Sequence, residues 1–121
     1  MAFLDKYPDK AVTVYVDNKY FLDILKQWVR HPRIKMVHKK NDAKLLGALD
    51  SPFIVYVDNN ITDRWTHLPH FMMVTGATDK FYSAFDPWGG KTIKVSKDRL
   101  LNGIELLRDH VKVCPFVITA S

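Results

Sequence analysis

The chain has 121 residues, 47% of them hydrophobic, and eighteen Lys and Arg against thirteen Asp and Glu give it a formal net charge of +5. A chain of this length can bury one hydrophobic core but hardly two, so we expect a single domain over residues 1–121. Its single cysteine excludes an internal disulfide. Because it has no signal peptide and no apolar run near the roughly 18 residues of a membrane span, we expect a cytoplasmic protein that does not enter the membrane.

The first half of the chain alternates predicted strands and helices. Residues 11–16 alternate in polarity as a strand does, and Asp17 or Asn18 can cap a following helix that Pro32 ends. A short strand at 34–37, a short helix at 43–49 and a buried strand at 53–57 follow.

The second half reads mainly as strands. A hairpin of residues 70–76 and 81–86 is followed by a strand at 91–95 and by a helix from a Ser96 cap to about residue 108. The apolar run 111–119 predicts the last strand, in which Pro115 indicates a sheet edge or a bulge. Successive strands followed by a helix predict an α+β fold, with helices packed on a mainly antiparallel sheet.

The hairpin brings an imidazole and a carboxylate together. If its turn centres near residue 78, paired positions sum to about 156, and His70 lies opposite Asp86 on one face of the sheet. A carboxylate that orients an imidazole makes two thirds of a nucleophile–His–Asp triad. His and Asp at strand ends also occur as turn formers or as a surface ion pair, and geometry alone leaves these alternatives open.

Two segments carry a family resemblance. Residues 69–76 (PHFMMVTG) and 86–90 (DPWGG) resemble the His and Asp half of the papain-like double-glycine leader peptidases, the bacteriocin-processing type. In that family an apolar strand ending in an acidic residue precedes the His strand, and residues 52–58 occupy that place here. The resemblance covers about residues 43–95, and residues 11–42 only by the order of elements. It implies a truncated papain-like fold, with His70 as general base and Asp86 as the residue that orients it.

The chain departs from the family at the nucleophile. Family members place the nucleophilic cysteine upstream of the histidine, but the only cysteine here, Cys114, follows His70 by 44 residues. A cysteine among Val and Phe is typical of a small buried hydrophobe, so we expect Cys114 to be buried and slow to react. We therefore expect a catalytically inactive peptidase-like domain that binds a peptide or protein, or serves in assembly. The alternative is a cysteine-peptidase-type hydrolase whose nucleophile comes from another chain or from Cys114.

Partners follow from the aromatic residues and from the expected fold. Trp65, Tyr82 and Trp88 could line a pocket for an extended peptide, although aromatic residues beside a hairpin are more often core. Only ten residues precede the first predicted strand, too few for the helix that covers the sheet in the related peptidases. An open apolar face or strand edge favours association, so we expect a homodimer that uses the face or edge near the hairpin.

No cofactor is expected. No metal site is expected either, because Leu68 and Pro69 exclude a helical turn between His67 and His70.

A basic segment offers a second alternative function. Six Lys and Arg and no acidic residue lie between Asp23 and Asp42. Such a patch could contact phosphates of nucleic acid, but without an accompanying motif a solvated basic helix end and strand is the favoured interpretation. The six residues are Lys26, Arg30, Arg33, Lys35, Lys39 and Lys40.

Overall fold

The computed structural model of the chain describes residues 11–50, 52–62 and 67–120. These residues form a seven-stranded, mostly antiparallel sheet with three α-helices, which confirms the predicted α+β class. The strands are β1 (Val12–Val16), β2 (Ile34–His38), β3 (Phe53–Asp58), β4 (Pro69–Ala77), β5 (Phe81–Asp86), β6 (Lys91–Ser96) and β7 (Phe116–Ala120). The helices are α1 (Lys19–Trp28), α2 (Ala43–Ala48) and α3 (Lys97–Leu106), with a 3₁₀ turn at Asn59–Thr62 and a π turn at Leu107–Val111.

The strand order across the sheet is β2-β1-β7-β3-β4-β5-β6. β1 and β2 are parallel and are joined through α1, whereas every other neighbouring pair is antiparallel. A parallel pair needs a crossover connection, and α1 supplies it. Within the described residues, β2 and β6 therefore form the two edges of the sheet.

Each α-helix begins where a side chain caps a free backbone N–H group. The side-chain oxygens of Asn18, Asp42 and Ser96 accept hydrogen bonds of 3.1, 3.0 and 3.1 Å from the N–H three residues further on. Asn18 and Ser96 are among the predicted caps. None of the helices in the described part of the chain is long and apolar enough to cross a membrane.

The sheet has two faces that are covered differently. α2 and α3 pack on one face, which we call the inner face, and bury the larger core there. On the opposite, outer face, Leu22 of α1 packs against Val12, Val14 and Val16 of β1 and Ile118 of β7. The helix α1 therefore covers the β2-β1-β7 part of the outer face.

The end of the chain differs from its prediction. The last strand begins at Phe116, so Cys114 and Pro115 precede it, and residues 107–111 extend α3 as a π turn that ends at the left-handed Lys112 (φ 65°). The predicted edge or bulge at Pro115 is also wrong, because β7 pairs with both β1 and β3 without a register shift and begins only at Phe116. Since Pro115 lies just before the strand, its missing N–H removes no bond from either ladder.

An ion pair fastens the end of α3 to the β1–α1 junction. Arg108 donates from Nε to Asp17 Oδ2 at 2.9 Å and from Nη2 to Asp17 Oδ1 at 2.7 Å, and the Asn41 N–H donates to Asp17 Oδ1 at 2.8 Å. Burial alone would raise the pKa of Asp17, but these hydrogen bonds and the charge of Arg108 outweigh it and lower that pKa below its usual value.

Candidate functional site

His70 lies near the start of β4 and faces the inner side of the sheet. Its register partner on β3 is Val57, which belongs to the inner core. Alternate residues of β4, namely His70, Met72 and Val74, are buried, as expected for a strand with one face packed on a core. The apolar alternation of β4 thus carries the imidazole into the interior.

Asp86 ends β5 and contacts His70 directly. Its Oδ1 lies 2.9 Å from His70 Nε2 and accepts the Trp88 N–H at 3.0 Å. The Trp88 ring stands edge-on to the imidazole, with ring centroids 5.0 Å apart. The turn that follows is closed by a 2.9 Å hydrogen bond from Gly90 N to Asp86 O, and Gly90 adopts a φ of 64° that glycine allows without a Cβ clash. The predicted His70–Asp86 hydrogen bond is confirmed.

The predicted pairing register is wrong by two residues. Met73 pairs with Phe85 and Val74 with Ala84, and a bulge lies between Val74 and Gly76. Continued from these pairs, the register places Asp86 diagonally from His70 instead of directly opposite. An even shift keeps every side chain on its face, because side chains alternate with a period of two, and a diagonal neighbour is still within reach of a long side chain.

The pair is nearly sealed from solvent. The side chains of His70 and Asp86 are 1% and 6% exposed. Asp86 borders a cavity of about 310 Å³ that Ile61, Ile93 and Arg99 also line. A general base has to reach the proton that it removes, directly or through one water. In this arrangement the imidazole is oriented as in a triad, but it lies beneath the surface.

Cys114 lies on the other side of the sheet. It packs against the apolar residues of the outer face. The sequence predicted a buried residue, but Cys114 is only half-buried. Its Sγ donates to Pro115 O at 3.4 Å, and burial raises the pKa of the thiol. Cys114, Phe21 and Arg108 border a cavity of about 500 Å³. The thiol and the His70 imidazole therefore belong to opposite faces of the sheet.

A second His–Asp pair was not predicted from the sequence. His67 Nδ1 lies 2.6 Å from Asp58 Oδ2, and the His110 ring packs on the His67 ring with centroids 4.3 Å apart. The Asp58 side chain is fully buried, whereas 39% of the His67 side chain is exposed. The signal for this pair is that Asp58 ends β3 and has Pro69 as its register partner. Pro69 lies two residues after His67, so His67 is close to Asp58. The described residues contain no group of three or more His, Cys, Asp or Glu that could hold a metal ion.

The predicted peptide-binding aromatic residues have different surroundings. Tyr82 is 5% exposed and packs edge-on against Phe53 in the inner core, with ring centroids 6.1 Å apart, and it also borders a cavity of about 650 Å³. Trp88 is 57% exposed beside His70. Trp65 lies outside the described residues. Tyr82 is therefore a core residue, whereas Trp88 combines contact with His70 and access to solvent.

The six basic residues of the predicted patch surround one edge of the sheet. They follow the chain from the last turn of α1, through the connection to the edge strand β2, to the residues just after that strand. In chain order they are Lys26, Arg30, Arg33, Lys35, Lys39 and Lys40.

Comparison of the chain with protein-family models, curated proteins and solved structures finds no match. The resemblance to the double-glycine peptidases therefore stays a prediction from the two motifs.

Proposed function

We propose that this chain is a catalytically inactive, papain-like peptidase-related domain that acts as a protein-binding or assembly module. Its binding surface is an apolar patch on the outer face of the sheet, beside the part that α1 covers. We call this surface the outer patch. Its members are Ile54, Tyr56, Phe71, Met73, Phe85 and Phe116.

The proposed inactivity is supported by the low solvent exposure of His70 and Asp86 and by the missing nucleophile. His70 and Asp86 are hydrogen-bonded but nearly inaccessible, so they suit a structural role better than proton transfer to a bound peptide. No cysteine precedes His70 in the sequence, and Cys114 packs on the opposite face with a raised thiol pKa. Without an activated nucleophile the pair has no covalent step to assist.

The proposed binding function rests on one observation, the exposed aromatic surface of the outer patch. Phe71 and Phe85 are 44% and 40% exposed although they lie on central strands. Phe71 stacks on Tyr56 with centroids 4.2 Å apart and contacts Phe116 at 5.7 Å. None of the six members is charged. Contiguous exposed apolar surface of this kind marks interaction sites more often than singly exposed residues do.

The occupant that best fits the outer patch is a second copy of this chain. The patch presents both protruding aromatic rings and an apolar depression of about 180 Å³, lined among others by Ile54, Phe71, Phe85 and Pro87. A two-fold pair brings the same surface of both copies together, so a ring of each copy can enter the depression of the other. Burying uncharged surface also avoids placing the net charge of +5 of each copy face to face.

Sedimentation at micromolar concentration tests the proposal. The wild-type chain is expected at twice its mass of 14.0 kDa. Phe71→Asp places a charge in the patch and is expected to give monomers, because burying an unpaired carboxylate is costly. Tyr20→Asp, at a 76% exposed aromatic residue of α1, is the matched control and should leave the dimer intact. A wild-type monomer with no self-association would exclude the second copy as occupant. Peptide capture that Phe71→Asp abolishes would then favour a different protein partner.

A further inference from the structure

The six basic residues of the α1–β2 segment account for the whole net positive charge of the protein. Leaving these six out of the eighteen Lys and Arg gives twelve against thirteen Asp and Glu, a net charge of −1. The remainder of the chain is therefore almost neutral. A net positive charge concentrated in one segment attracts anionic ligands to that surface, whereas a general excess of lysine serves solubility.

The fold arranges this charge along an open strand. Within the described residues β2 pairs with β1 alone, so its other side is an edge of the sheet. Arg33 precedes β2, Lys35 lies within it and Lys39 follows it, so these three residues span about 20 Å at the rise of an extended chain. We call these six residues and this strand the basic edge. Its length matches several successive phosphates of a nucleic acid strand.

Two nearby acidic residues, Asp17 and Asp42, make their contacts elsewhere. Asp17 is hydrogen-bonded to Arg108 through both carboxylate oxygens, and its side chain is 9% exposed. Asp42 accepts the Leu45 N–H as the cap of α2. These two carboxylates are thus directed to the interior and to a helix end, whereas Asp23 is exposed on α1, three residues before Lys26.

An exposed tryptophan stands within the same segment. Trp28 is the last residue of α1, lies between Lys26 and Arg30 in the chain, and is 81% exposed. An aromatic ring beside cations stacks on unpaired bases, and that contact is not available from a duplex, where bases stack on each other. The ring therefore favours a single strand over a duplex, and nucleic acid over an acidic polypeptide.

We infer that the basic edge binds single-stranded nucleic acid, with its four lysines and Arg30 along the phosphates and Trp28 stacked on a base. This inference is independent of the outer patch, which lies on other strands. Binding is expected to be largely independent of sequence, because phosphate contacts and stacking distinguish bases poorly.

Fluorescence anisotropy with a labelled 15-nucleotide oligothymidylate measures this binding on the full chain. Affinity is expected to fall steeply between 50 and 200 mM salt, with a slope of about −0.7 per phosphate contact in the logarithmic plot. The double variant Lys35→Glu/Lys39→Glu should lose binding at 50 mM salt. The control Lys91→Glu/Lys94→Glu makes the same change in net charge on β6, at the opposite edge, and should keep most of the affinity. Circular dichroism would establish that both variants are folded.

Trp28→Ala separates stacking from charge. It should weaken oligothymidylate binding by about tenfold and leave the salt slope unchanged, because base stacking is lost while phosphate contacts remain. Equal losses in the two double variants, or no binding at 50 mM salt, would overturn the inference. Unchanged affinity in Trp28→Ala would refute the stacking contact, and tighter binding of polyglutamate than of the oligonucleotide would assign the basic edge to an acidic protein partner instead.

Discussion

His70 Nε2 and Asp86 Oδ1 lie 2.9 Å apart on the inner face of the sheet, and the two side chains are nearly excluded from solvent. Such a pair affects stability mainly through the cost of leaving one partner alone in the interior. Because the pair joins β4 to the end of β5, it stabilises the hairpin that these two strands form. Replacing either residue is therefore expected to lower stability.

His70→Ala is expected to lower the free energy of unfolding by about 2–4 kcal/mol, because it removes a hydrogen-bond partner of a buried carboxylate and leaves a void. Urea denaturation measures the change. His38→Ala, at an exposed histidine of β2, is the control and should cost less than about 0.5 kcal/mol. Equal small effects in the two variants would mean that the buried pair contributes little.

No peptidase activity is expected from the isolated chain. The reason is that the oriented imidazole has no thiolate beside it and almost no access to solvent. Incubation with peptides that carry a Gly-Gly cleavage site, followed by mass spectrometry, is the assay. Specific cleavage by the wild type that His70→Ala abolishes would contradict the inactive assignment, and loss of cleavage in Cys114→Ala as well would identify the nucleophile.

The Asp17–Arg108 ion pair is expected to make stability depend on pH in the acidic range. The pKa of Asp17 is lowered in the folded protein, so its contribution is fully present above the unfolded value of about 3.9 and is lost as pH falls through the folded value. Asp17→Asn should lower the unfolding free energy at pH 7 by about 2 kcal/mol. Denaturation curves of the two proteins from pH 7 to pH 3 should converge only below about pH 4. A constant difference across this range would assign the effect of Asp17 to something other than its charge.

Gly103 of α3 packs so closely on the 3₁₀ turn that a side chain does not fit. A Cβ atom there would lie 2.8 Å from Ile61 Cγ2 and 3.3 Å from Val57 Cβ. Gly103→Ala is therefore expected to lower stability by about 1–3 kcal/mol, despite the better helix propensity of alanine. Gly47→Ala in α2 meets nothing within 4 Å and should raise stability by up to about 1 kcal/mol. Thermal denaturation of the two variants should shift in opposite directions.

Cys114 is expected to react slowly with thiol reagents in the folded protein. Burial raises its pKa, so the thiolate fraction at neutral pH is smaller than in an unfolded chain. The side chain is also partly covered by its neighbours, which limits the access of a reagent. Labelling with a disulfide reagent at pH 7 should be several-fold slower in buffer than in denaturant. Equal rates in the two conditions would show that neither burial nor the raised pKa protects the thiol.

Local features of the sequence predicted most of the elements and the central contact. The caps Asn18, Asp42 and Ser96 start the helices, because a side-chain acceptor three residues before a backbone N–H acts locally. The alternation of the hairpin placed His70 and Asp86 on one face even though the register was misjudged by two residues, because only an odd shift changes the face. The bulge that accompanies the altered register has no strong local signal in Thr75.

The tertiary structure decided what these elements do together. Nothing local in residues 116–120 indicates that β7 inserts between β1 and β3, since strand order depends on contacts far apart in sequence. The same long-range packing encloses His70, places Cys114 on the opposite face, joins His67 to Asp58 and leaves Phe71 and Phe85 exposed. The sequence thus determined which side chains share a face of a strand. Only the folded chain decided which faces are covered, because burial is a property of the whole arrangement of strands and helices.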